Sequence, residues 1–194
     1  MSLFDFLFNP SAYQGRRGES YTSRRLHALG DGYRVINNVM LPSGGKTHAT
    51  QIDHIVVSNF GIFCIETKSH EGLVFGTASR KQWTYIYYKD KYKIYNPLFQ
   101  NYAHIKALER ILGSRVKRPI VSLVIFPFAH TLKINGTDQV GRTDEIIRKI
   151  STYRDQLYAD NECDDICNIL LSSDINNRRN QIIHNSEVQE LTNR

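Results

Sequence analysis

The sequence predicts a mixed α/β domain, and three observations carry that expectation. Amphipathic helical stripes occur near residues 18–29, 97–112 and from 143 onward. Two β-branched runs, 51–58 and 61–68, are separated by a short turn centred on Asn59-Phe60, and a continuous apolar run of strand length occupies 119–128. Together they describe a mixed central sheet with helices before, between and after its strands.

A chain of 194 residues matches one domain and buries a sizeable core without staples. Hydrophobic residues make up 41%, with 11 Tyr and 9 Phe, which argues against disorder. Lys and Arg number 25 against 19 acidic residues, a formal charge of +6 that favours polyanionic partners. Three cysteines and no legible secretory signal point to reduced thiols and a cytoplasmic location. Cys163 and Cys167 stand four apart without a partnering Cys or His pair, so they read as small core hydrophobes rather than zinc ligands. Met1 to Phe8 is apolar but too short to span a bilayer, so it is expected to pack on the domain and no stable membrane insertion is expected.

Along the chain, Asn9 to Arg17 reads as a loop and Gly18 to Leu29 as a first helix closed by Gly30-Asp31-Gly32. On that helix Glu19 shares a stripe with Thr22, Leu26 and Leu29, which turns a carboxylate inward. Tyr33 to Val39 reads as a strand, followed by a Gly-rich turn at 42–48 and a hairpin of 51–58 with 61–68. Further short strands at 73–76, 82–88 and 92–95 suggest a sheet rim, with Trp83 in the core. Asn96-Pro97 is a helix start, Asn as N-cap and Pro at the first helical position, and Leu98, Tyr102, Ile105 and Leu112 mark the packing surface of the helix that follows. The run 119–128 reads as a strand buried on both faces. Helices are expected over 145–158, 162–171 and 178–191.

The chemistry concentrates in the hairpin. A turn centred on Asn59-Phe60 sets Asp53 opposite Glu66 and Gln51 opposite Lys68. Period-two alternation then puts Asp53, Glu66 and Lys68 on one patch. Two carboxylates about 4 to 5 Å apart repel by about 3 to 4 kcal/mol at an effective dielectric near 20, and such a pair asks for a cation. Hard oxygen ligands favour Mg²⁺ or Mn²⁺, and Lys68 could stabilise negative charge on a phosphate. An ordinary half-buried ion pair of Lys68 with Glu66 or Asp53 fits the same residues. His54 follows Asp53 but points to the opposite face, as a core histidine. On the second helix Gln100, His104, Ala107 and Ile111 lie along one face, so Gln100 can reach a site that the helix covers.

Four segments carry a resemblance. They are Gly15-Arg16-Arg17-Gly18-Glu19, Gln51 to Ser58 (QIDHIVVS), Gly61 to Lys68 (GIFCIETK) and Asn96 to Gln100 (NPLFQ). In order and spacing they resemble the nuclease-related domain (NERD), a branch of the PD-(D/E)xK nuclease superfamily, across about residues 15–130. The resemblance implies a restriction-endonuclease-like core of helix, three-stranded antiparallel meander, helix and strand, and metal-dependent cleavage of DNA. It makes Glu19 the acidic residue of the first helix, Asp53 the central metal ligand, Glu66 and Lys68 the acid–lysine pair, and Gln100 the glutamine of the second helix. Asp53, Glu66 and Glu19 would hold Mg²⁺ or Mn²⁺. Arg16, Arg17, Arg24, Arg25 and Lys46 are candidates for holding the phosphate backbone.

The expected organisation is an N-terminal segment at 1–14, a nuclease core at 15–130 and a C-terminal helical part of the same domain at 131–194. The expected activity is that of a DNA endonuclease. A non-catalytic nucleic-acid-binding scaffold of the same fold and an RNA endonuclease are the alternatives. Oligomeric state is left open, a homodimer included.

Overall fold

The computed structural model describes residues 10–192 except Lys46, with side chains described over 15–187. Helix α1 spans Pro10–His27 and leads into β1, Tyr33–Pro42, β2, Ala49–Ser58, and β3, Gly61–Thr67. Three short strands follow: β4, Leu73–Thr77, β5, Gln82–Tyr87, and β6, Asp90–Tyr95. Helix α2, Pro97–Leu112, then precedes β7, Val121–Ile125, β8, Thr131–Asn135, and β9, Val140–Gly141. The chain closes with α3, Thr143–Ile150, α4, Asp160–Ser172, and α5, Arg178–Thr192.

The first sheet runs in the order β1-β2-β3-β7-β9. Its first three strands form an antiparallel meander, and β7 and β9 lie parallel to β3. One face packs Ile55, Val57 and Cys64 against Ile105 and Leu108 of α2 and Ile166 and Leu170 of α4. The other packs Val56, Phe63 and Ile65 against Leu26 of α1 and Ile146 and Ile150 of α3. All seven residues of β3 are buried because both of its faces are covered, and its apolar run gives way to Glu66 and Thr67 at the end where the site lies.

Three expectations are corrected. Residues 10–17, expected as part of a loop from their Pro, Ser and Gly, belong to α1, because a Pro at a helix start and a lone Gly inside it are both tolerated. Gly18, expected at the helix start, lies within the helix and lets it approach Ser69 closely. A Cβ there would come 1.8 Å from Ser69 Oγ. Strands β4, β5 and β6 do not rim the first sheet; with β8 they build a second one in the order β6-β5-β4-β8. Its core of Val74 and Trp83 packs against Val124 and Phe126. Helix α3 ends at Ile150 instead of continuing to Tyr158. The backbone carbonyl of Asn59 in the β2–β3 turn captures the amides of Leu157 and Tyr158 at 2.7 and 3.1 Å, which holds that segment extended across the hairpin. The expected packing of Met1 to Phe8 lies outside the described residues.

Candidate active site

The hairpin has the predicted register. Ser58 pairs with Gly61 around the Asn59-Phe60 turn, and the ladder continues to His54 opposite Ile65. There it stops, and Asp53 and Glu66, the next residues on each strand, stand where the strands part. The Thr67 amide donates to Asp53 Oδ2 at 2.8 Å and the Lys68 amide to Ile125 O at 2.8 Å. Gln51 therefore does not pair with Lys68; its side-chain amide donates to Asn38 Oδ1 at 2.6 Å. Asn38 has φ 55, a left-handed residue inside β1. Its position interrupts the alternation, because Ile52 and Ile55 of β2 both join the core under α2. Asp53 sits at this switch.

Glu66 is buried and both of its oxygens are engaged. Lys68 Nζ lies 2.8 Å from Oε1, and His104 Nε2 lies 3.1 Å from Oε2. The other ring nitrogen of His104 lies 2.6 Å from Thr50 Oγ1. With the proton on Nε2, His104 donates to the carboxylate and accepts from the Thr50 hydroxyl, which satisfies all three groups. Lys68 Nζ also donates to Gln100 Oε1 at 2.9 Å. Gln100 thus meets the catalytic candidates through the lysine.

Helix α2 brings Gln100 and His104 to this point because its ends and middle are fixed. Asn96 Oδ1 accepts from the Leu98 amide at 2.9 Å, the N-cap that the sequence predicts. Asn101 is fully buried, and its Nδ2 donates to Cys64 O at 2.9 Å on β3 and to Ser122 Oγ at 2.9 Å on β7. Tyr102, expected on the packing surface, is 60% exposed; the buried stripe is rotated to take in Asn101 and His104. Nothing in the sequence marks Asn101 for this part. For His104 the face it shares with Gln100 is the available signal.

Glu19 arrives from α1, half-buried. Ser69, the residue after Lys68, fixes the helix at two points: its hydroxyl donates to Gly15 O at 3.2 Å, and it fills the space left by Gly18. Burial and the Glu66 charge push the Glu19 carboxyl up. Burial, Glu66 and Glu19 push Asp53 well up. Burial alone would raise Glu66, but the Lys68 ammonium and the His104 hydrogen bond pull it below the ordinary range. Burial alone would lower Lys68, and Glu66, Asp53 and Glu19 instead hold it protonated. Three carboxylates therefore share one ammonium, and two of them ionise reluctantly.

His54 lies on the opposite face as predicted, 1% exposed, with Nδ1 2.7 Å from Asn37 Oδ1. Burial holds its pKa at about 4. Trp83 is core, and so is Cys163, with Cys167 packed beside it. Among the basic candidates, Arg16 is exposed and near enough for its charge to act on Glu19. Arg17 pairs with Glu71 at 2.8 Å and lies over the Phe128 ring. Arg25 pairs with Asp144 at 2.6 Å, Arg24 is exposed, and Lys46 lies outside the described residues. No helix among the described residues is long and apolar enough to cross a membrane.

Helix α1, the meander β1–β3, helix α2 and the parallel strand β7 make a nuclease-like α/β core, with acidic and basic side chains gathered where the meander opens. The family model of the nuclease-related domain matches residues 14–127, and the chain belongs to that family. It is similar to an uncharacterized protein of Bacillus anthracis, 31% identical over 169 residues that cover 84% of this chain and 78% of the relative. No solved structure matches it. Family membership implies nucleic acid as the partner class.

Proposed function

We propose that the protein is a Mg²⁺- or Mn²⁺-dependent DNA endonuclease whose centre is Glu19, Asp53, Glu66, Lys68 and Gln100. The observation that carries this reading is Lys68 Nζ held between Glu66 Oε1 and Gln100 Oε1 beside a second carboxylate, Asp53, whose ionisation is opposed by its neighbours.

The donor set fits a hard divalent cation. All three acids offer oxygen, Asp53 keeps an oxygen free of the Thr67 amide, and the repulsion that raises Asp53 and Glu19 is what a cation relieves. Among the described residues no three His, Cys, Asp or Glu side chains already stand together as a ligand cluster, so binding would draw the acids closer. When bound, the ion would polarise the phosphate and lower the pKa of a water. Asp53, held by the Thr67 amide, and Glu66, held by His104, would fix its position. Lys68 would stabilise the charge that gathers on phosphorus-bound oxygen as water oxygen bonds to phosphorus in line and the P–O bond to the leaving sugar oxygen breaks. Gln100 would keep the Lys68 ammonium aimed, and Glu19 would act as the outer acid.

A second reading has its own support. Glu66 is already satisfied by Lys68 and His104 and needs no metal, as in a non-catalytic nucleic-acid-binding scaffold. Incubating the protein with supercoiled, linear and single-stranded DNA and with RNA, each in Mg²⁺, Mn²⁺ and chelator, separates these. DNA cleavage that needs the ion supports the nuclease; DNA binding without cleavage in either ion supports the scaffold; preferential RNA cleavage makes it an RNA endonuclease.

A further inference from the structure

We propose that a tyrosine ledge on the second sheet stacks the bases of a single DNA strand and leads that strand to Lys68. The proposal rests on the nuclease reading for the role of Lys68, while the binding itself can be read independently.

On the β5–β6 hairpin, Trp83 and Ile94 face each other in the core, and Tyr85 and Tyr92 continue the same face beyond it. The rings form a continuous series. His70, two residues after Lys68, lies edge-on to Tyr85 at 4.4 Å between centroids. Tyr85 stacks on Tyr92 at 5.9 Å and 28° and on Tyr87 at 6.2 Å and 24°. Tyr87 meets Tyr88 edge-on at 4.6 Å. The far end is open, with Tyr92 49% and Tyr88 86% exposed. Tyr88 also adopts φ 52 in the two-residue turn, where glycine is the favoured occupant. A bulky ring is held outward there at a conformational cost, edge-on to Tyr87 and otherwise largely open to solvent.

The hairpin that carries this ledge is cationic. Arg80, Lys81, Lys89, Lys91 and Lys93 are all exposed. Lys89 sits in the turn at the open end, and Lys91 and Lys93 rise from the other face of the hairpin, opposite Ile86 and Thr84, while Asp90, the one acid of the hairpin, lies opposite Tyr87 on the ledge face. Lysine is depleted in protein–protein interfaces. Flat aromatic faces on a basic hairpin suit unpaired bases, whose ring faces a duplex hides and whose phosphates need countercharge.

Binding is measured by fluorescence anisotropy with a labelled deoxythymidine oligomer, a duplex and a uridine oligomer. The Asp53→Asn background keeps every strand intact, and each variant's fold is checked by its melting transition. Tyr88→Ala and Tyr92→Ala should each weaken single-strand binding about tenfold. Duplex binding should stay within about twofold, and Tyr88→Phe and Tyr92→Phe should bind like the parent. The proposal is overturned if the folded alanine variants bind the single strand as the parent does, if duplex binding falls equally, or if the uridine oligomer binds more tightly than the deoxy strand. It is also overturned if gel filtration shows the variants breaking a dimer while strand affinity is unchanged, since a second copy then covers the ledge. Ledge-dependent strand binding without cleavage by the wild type would keep this inference and remove the nuclease reading. Cleavage with ledge-independent binding would do the reverse.

Discussion

His104 Nε2 on α2 lies 3.1 Å from Glu66 Oε2 on β3, joining the helix that carries Gln100 to the strand that leads to Lys68. The contact is buried at both ends, with side chains 5% and 3% exposed. A donor in that place fixes the rotamer of Glu66 and leaves Oε1 to the lysine.

His104→Ala strips the donor from Glu66 and the partner from Thr50. A buried acceptor left unpaired costs about 1 to 3 kcal/mol, to be read as a lower denaturation midpoint. Loss of a group that orients a metal-binding carboxylate lowers activity about 10- to 100-fold. A variant with unchanged midpoint and turnover would show that His104 only fills space.

Asp53→Asn should stabilise the protein at pH 7 while removing cleavage. The folded-state pKa of Asp53 is raised, so its contribution favours folding below the unfolded value near 3.8 and is lost as pH rises through the folded value. At neutral pH the charge therefore opposes folding, and asparagine removes it while keeping an oxygen for the Thr67 amide. Melting curves of both proteins with and without Mg²⁺ test this. The ion should raise the wild-type midpoint and shift the variant less.

Gly18→Ala would place a methyl 1.8 Å from Ser69 Oγ and 2.9 Å from its Cβ, so α1 must move off the end of β3. The expected cost is about 1 to 3 kcal/mol. Glu19 moves with the helix, so activity should fall about tenfold or more even where the variant remains folded. Melting and cleavage measured on the same preparation check both effects.

His54 sets an acid limit. Its folded pKa is lowered from 6.5 to about 4, so its stabilising contribution is complete above 6.5 and is lost as pH falls through 6.5 toward 4. The shift corresponds to about 3 kcal/mol. His54→Gln, which can keep a hydrogen bond to Asn37, should flatten stability across that window in denaturant titrations at a series of pH values.

The hairpin register was legible because two β-branched runs joined by the two-residue Asn59-Phe60 turn leave one symmetric pairing of β2 with β3. The N-cap of α2 was legible because Asn96-Pro97 is local chemistry. Asn101 was not, and of His104 only its face shared with Gln100 was, since their partners depend on where β3 and β7 place carbonyl and carboxylate oxygens, which no local pattern encodes. The second sheet was hidden for a related reason. Strand β4 pairs in parallel with β8, more than fifty residues away, and short strands carry no signal of a distant partner. Residues 10–17 misled because Pro10 and Gly15, which mark loops, are also tolerated at the start and in the interior of a helix.

The most direct test of the nuclease centre is relaxation of supercoiled plasmid by wild type and by Asp53→Ala, each in Mg²⁺, Mn²⁺ and excess chelator. The wild type should cut with either ion and stop with chelator, while Asp53→Ala, folded by its melting curve, should leave the plasmid supercoiled. Ion-dependent cutting by Asp53→Ala at the wild-type rate would contradict the assignment of Asp53 and the centre built around it.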